Sequence, residues 1–276
     1  AELMVGKSLS QPARPDHDPG AVLLEVRALS ATPANPFGTA LRDIAFLVRE
    51  GEVLEIGGVA GNGQDELLAA LSGETRVAPD AIMFKQQGIG ALGPNARRAL
   101  GLLCAPEERL GHAAAPEMSL TENALLTGRL RQGLDRHGFV DWARTRAFTN
   151  RIISRFDVRT PGPWVAARAL SGGNLQKFVI GREILQEPMV LVVNQPTWGV
   201  DASAAAAIRQ ALLDLAQGGA AVIVISQDLD ELLEISDRFC ALSEGRLSAP
   251  RPARGLSMEE IGLMLGGAHD MHEAVA

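Results

Sequence analysis

The sequence predicts an α/β protein, built as a mainly parallel sheet with flanking helices plus a small antiparallel β subdomain and a helical subdomain. Three observations predict it. Short apolar runs alternate with helical patterns from Met189 onward, which requires parallel strands joined by crossover helices. The first folded stretch reads as consecutive strands around tight turns. Helical periodicity dominates the stretch between them, from Glu107 to Ala169. At 276 residues the chain buries a sizeable core without disulfides.

The elements follow in order. Residues 8–20 are proline-rich and polar, which suits an extended linker, so folding is expected to begin near Ala21. Val22 to Val26, Ala40 to Val48 and Val53 to Ile56 read as strands, separated by a loop with Pro33 and Pro36 and by the Glu50-Gly51 turn. Leu67, Leu68 and Leu71 then form one helix face ending near Gly73. Ser119 with Glu122 has the form of a capping box, and Asp141 that of a cap. Val190 to Val193 and Ala220 to Ile225 are strands, followed by helices from Ala202 to Leu215 and from Leu229 to Ile235. The expected division is a linker and the end of a preceding domain at 1–20, and an antiparallel β subdomain with the first part of the core at 21–106. The helical subdomain follows at 107–169, the rest of the core at 170–250, and a C-terminal helix and tail at 251–276.

Composition excludes several functions. With 26 basic and 33 acidic residues the net charge is −7, and no basic run offers a phosphate-tracking groove, so nucleic acid is not an expected partner. No apolar stretch reaches bilayer-spanning length and the first residues lack a signal-peptide pattern, so a cytoplasmic location is expected. Cys104 and Cys240 lie in apolar runs and read as buried thiols rather than a bridge or metal ligands; no metal site is expected. His17, His112, His137, His269 and His272 read as solvent-facing or tail residues.

The strand at Val53 runs into Gly58-Val59-Ala60-Gly61-Asn62-Gly63-Gln64-Asp65-Glu66, with the glycine spacing of a phosphate-cradling loop. Such a loop needs a lysine for the outer phosphates and a Ser or Thr hydroxyl for Mg²⁺. Here Gln64 and Asp65 hold those positions, and both oppose ATP binding. The amide forgoes a charge-assisted bond of roughly 1.5–3 kcal/mol, and the carboxylate repels phosphate. The three lysines, Lys7, Lys85 and Lys177, are distant in sequence. One expectation is that Asp65 or Glu66 folds back onto the amides of Gly61 to Gln64. A ligand-free strand-to-helix turn would have the same glycines.

The run Leu170-Ser171-Gly172-Gly173-Asn174-Leu175-Gln176-Lys177 resembles the signature motif of ABC ATPases, in the form typical of simple-sugar and nucleoside importers. A hydroxyl and two glycines opening a helix present backbone amides and a positive dipole end to an anion; Ser171 as a plain N-cap is the simpler alternative. Val190 to Thr197 resembles the Walker B strand, but its two carboxylate positions are Asn194 and Gln195, neither able to serve as a base. The stretch from Trp198 to Asp201 fits the D-loop region, although Asp201 equally suits a helix cap. Gln227 stands where the family has its switch histidine. Ala105-Pro106-Glu107-Glu108-Arg109 resembles the segment that replaces the Q-loop in sugar-type domains and couples to membrane subunits. Phe37 is the candidate for adenine stacking, with packing onto its own domain as the alternative.

The resemblance runs from about Val22 to Leu247 and identifies the chain as similar to the second nucleotide-binding domain of a two-domain importer subunit; residues 2–7 are similar to the end of the first. It implies a P-loop NTPase core peripheral to the inner face of the plasma membrane, with permease subunits and another nucleotide-binding domain as partners. It further implies that Ser171, Gly172, Gly173 and Asn174 complete a Mg-ATP site on that partner domain, while ATP at the loop of Gly58, Gly61, Asn62, Gly63, Gln64, Asp65 and Glu66 is weak or absent. A regulatory nucleotide clamp and a soluble non-transport ABC factor are the alternatives.

Overall fold

The computed structural model describes residues 18–33, 35–228 and 233–267. The linker to residue 17, most of the expected helix at 229–235 and the tail from His269 lie outside them. Five parallel strands form the centre: β3 (Val53–Gly57), β6 (Leu102–Ala105), β9 (Val190–Asn194), β10 (Ala221–Ser226) and β11 (Arg238–Ser243). They lie in the order β11-β3-β10-β9-β6, and the short β12 (Arg246–Leu247) and β13 (Arg251–Pro252) pair antiparallel with β11. Every residue of β3, β9 and β10 is buried, which explains why their sequences are apolar apart from Glu55 within β3 and the terminal Asn194 and Ser226, since a sheet covered on both faces has no polar side.

Alternate residues of these strands feed separate cores. Leu54, Ile56, Val192 and Ile223 pack with α1 (Gln64–Ser72) and an antiparallel sheet of β1 (Val22–Ala31), β2 (Leu41–Arg49), β4 (Ile82–Phe84) and β5 (Gln87–Gly88). Val53, Leu191, Val193 and Val224 pack with α3 (Leu120–Gln132), α4 (Trp142–Arg155), α5 (Gly172–Ile184) and α6 (Ala202–Gln217). The period of two along a strand is what sorts one sheet into two apolar layers. A third, smaller cluster joins Phe239 and Ala241 to Ile261 and Met264 on α7 (Met258–Leu265).

Between α3 and α4 a hairpin of β7 (Asp135–Arg136) and β8 (Phe139–Val140) interrupts the stretch in which helical patterns dominate the sequence. Ser119 and Glu122 do close a capping box on α3, and Asp141 caps α4 through the Arg144 N–H at 3.0 Å. Cys240 is buried as expected. Cys104 is only half-buried because β6 is an edge strand, yet burial of its sulfur still pushes its pKa up to about 12.

Candidate functional site

The glycine loop leaves the C-terminal end of β3 and enters α1 with Gly61 and Gly63 at φ 84° and 111°, backbone that L side chains rarely adopt. Side chains of the loop and its neighbours bond into it. Gln64, only 6% exposed, folds back so that its Oε1 accepts from the Asn62 N–H at 3.0 Å and its Nε2 donates to the Val59 carbonyl at 2.8 Å. Asn62 donates from Nδ2 to the same carbonyl at 3.0 Å, and its Oδ1 accepts from the Glu244 N–H at 2.8 Å. The Thr39 hydroxyl donates to the Gly61 carbonyl at 2.6 Å.

The fold-back therefore corrects the expectation for Asp65 and Glu66. Asp65 Oδ1 instead accepts from Asn194 Nδ2 at 3.2 Å, and Glu66 Oε1 accepts from the Thr39 N–H at 3.0 Å. A side chain at the first helical position is already inside the loop and reaches the Asn62 amide by a short local turn, whereas Asp65 meets Asn194 at the end of β9 and Glu66 meets Thr39 just before β2.

At the end of β9, Asn194 is 1% exposed, and its Oδ1 has no hydrogen-bond partner among the described residues. Gln195 adopts φ 51° and turns its side chain toward the end of β10, where Oε1 accepts from Ser226 Oγ and from the Gln227 N–H, both at 3.4 Å. Gln176 on α5, buried and not singled out as a site residue by the sequence, donates to the Gln195 and Pro196 carbonyls at 3.4 and 3.0 Å. Glu107 approaches Asp65 from the segment that follows β6, residues 106–110. Burial first, then the Asp65 carboxylate, raises the Glu107 pKa, while Arg109 opposes the shift.

This donor set does not match a magnesium nucleotide. Gln64 occupies one amide of the cradle, the side chain facing Asn194 is a carboxylate where a metal-binding hydroxyl is needed, and Lys177 is held by the Asp157 carbonyl. Phe37 is 95% exposed, so packing onto its own domain does not account for it.

The start of α5 is arranged differently. Ser171 is its N-cap but makes no side-chain bond to the helix backbone. Its Oγ accepts from Asn174 Nδ2 at 2.9 Å, which leaves the hydroxyl hydrogen available to donate. Asn174 is itself held by the Arg159 N–H at 2.9 Å. The N–H groups of Gly172 and Gly173 belong to a first helical turn, which has no intrahelical partners to offer them. A cleft of about 880 Å³ lies against Ser171 to Asn174 and Gly199 to Asp201. Asp201 caps α6 through the Ala204 N–H at 2.9 Å, the simpler of its two readings. Glu108 and Arg109 lie on a turn where the Glu108 and Arg109 carbonyls accept from the Ala113 and Ala114 N–H groups, each at 2.9 Å.

Comparison with known proteins agrees with this architecture. The ABC transporter family model matches residues 41–198, and the chain belongs to that family. It is 34% identical over 269 residues to the nucleoside import ATP-binding protein NupA of Lactococcus lactis, covering 97% of this chain and 53% of the relative. It is 35% identical over 273 residues to the glucose import ATP-binding protein TsgD13 of Haloferax volcanii, covering 98% and 50%. The chain thus spans about half the length of the curated relatives it matches. Among solved structures, the ATP-binding subunit of an ABC transporter superposes with a TM-score of 0.70 at 23% identity, over 88% of this chain and 99% of that one.

Proposed function

We propose that this chain is the second nucleotide-binding domain of a sugar or nucleoside importer's ATP-binding subunit, one that completes its partner's ATP site and hydrolyses no ATP by itself. The contrast between its two loops carries the reading. Gln64 folds back across the glycine loop, while in the signature turn the Ser171 hydroxyl accepts from Asn174 and keeps its own hydrogen to donate. An ATP bound on a partner domain supplies the phosphates. This chain contributes the Ser171 hydroxyl, the Gly172 and Gly173 amides and the positive end of α5 to orient them.

Asn194 and Gln195 supply neither metal-binding charge nor a base, so the pair is asymmetric. Closure around the partner's nucleotide moves the α3–α4 region and the Glu107 to Arg109 segment, which passes the motion to permease subunits. Among the described residues no helix is long and apolar enough to cross a membrane, in keeping with a peripheral place on its inner face. Gly172→Asp puts a carboxylate where phosphate would bind. In the assembled pair it is expected to lower ATPase kcat at least a hundredfold; turnover equal to wild type sinks the proposal.

A further inference from the structure

Arg109 spans a gap that the backbone does not. It leaves the turn after β6, crosses to the loop that follows β9, and donates from Nη2 to the Trp198 carbonyl. Its guanidinium lies in a notch made by two glycines. A Cβ on Gly172 would fall 2.6 Å from Nη1, and a Cβ on Gly199, whose φ is +63°, would fall 3.0 Å from Nη2. A planar fork of donors fits such a slot, and an ammonium does not fill both sides of it.

Helix stability does not explain this placement. A cation at the N-terminal end of α5 opposes the helix dipole, and the hydrogen-bond partner is a neutral carbonyl rather than a carboxylate. What the placement achieves is connection. The turn carrying Arg109 is already tied to α5, because Arg182 Nη2 donates to the Ala113 carbonyl at 2.8 Å. The loop after β9 is tied to the same helix by Gln176. Arg109 closes the triangle at its outer edge, beside a cleft of about 840 Å³ bordered by Asp65, Glu107 and Gly172.

We propose that Arg109 is a positioning residue for the composite ATP site, joining the 106–110 segment, the signature turn and the 197–200 loop into one moving body. The inference rests on the reading that Ser171 to Asn174 complete a partner's site. When the segment is displaced, Gly172 and Trp198 follow it. Geometry at the partner's phosphates then tracks the segment without a change in the core sheet.

The test uses the assembled transporter carrying Arg109→Gln or Arg109→Lys in this half, with ATPase kinetics and hydrogen exchange read together. Arg109→Gln is expected to lower kcat tenfold or more with KM for ATP within twofold, and to raise exchange at residues 197–200 at least tenfold. Arg109→Lys is expected to recover less than half of the lost kcat. Wild-type kcat with unchanged exchange overturns the proposal, as does full recovery with lysine or a fall in kcat matched by a rise in KM. If the Gln variant misfolds, Arg109→Met keeps the aliphatic stem and meets the same criteria. Inactivity of Gly172→Asp alongside wild-type behaviour of Arg109→Gln removes this inference alone, whereas normal turnover of Gly172→Asp removes the reading beneath it.

Discussion

At the residue scale, replacing a lysine by Gln64 does more than delete a charge. The amide carries both a donor and an acceptor, so it bonds to the Val59 carbonyl and the Asn62 N–H at once and fills the loop that a lysine would leave open to phosphate. A single reversal is therefore insufficient, because Asp65 still places negative charge beside the cradle. Gln64→Lys alone is expected to show no Mg-ATP binding by calorimetry. The double variant Gln64→Lys with Asp65→Ser is expected to bind measurably, and equal silence from both would mean the glycine backbone itself is misshapen.

At the element scale, α5 is held by a buried ionic group as well as by apolar packing. Glu183 is wholly buried. It meets Arg182 Nε at 2.9 Å, accepts from Arg98 on α2 (Pro94–Leu100), and accepts from the Thr127 hydroxyl of α3 at 3.1 Å. Burial alone would raise its pKa, but the two guanidiniums outweigh burial and hold it below the ordinary carboxylate range. Glu183→Ala leaves the buried Arg182 and the mostly buried Arg98 without their shared carboxylate. A loss of roughly 3–5 kcal/mol in denaturant unfolding is expected, and a loss below about 1 kcal/mol would show that the group contributes little.

At the scale of the whole molecule, one titratable group sits in the middle of the sheet. Glu55 on β3 is 0% exposed, hydrogen-bonded by Ser236 at 3.2 Å, and burial pushes its pKa up to about 8 from an ordinary 4.5, with Asp228 adding to the rise and Ser236 opposing it. The folded chain therefore holds this proton more tightly than the unfolded chain. The stability it contributes is complete below about pH 4.5 and is lost progressively as pH rises toward 8, by at most about 1.4 kcal/mol per pH unit. Because β3 borders both main cores, the effect reaches global unfolding. Glu55→Gln is expected to flatten that decline between pH 5 and 8; parallel stability curves for variant and wild type would refute it.

The sequence by itself determined the fold class, the strands β3, β9 and β10, the helix caps at Ser119 and Asp141, and the family. Apolar periodicity and local capping chemistry act over a few residues and are written in order along the chain. The motifs were legible for the same reason, since Gly58 to Glu66 and Leu170 to Lys177 are each continuous. Only the tertiary structure decided what those motifs touch. That Gln64 rather than Asp65 closes the loop depends on which side chain the turn into α1 aims inward. The pairings of Asn62 with Glu244, Asn194 with Asp65, and Arg109 with Trp198 join residues 182, 129 and 89 positions apart. No local pattern marks such partners, because they are brought together by the order in which parallel strands stack and not by their spacing along the chain.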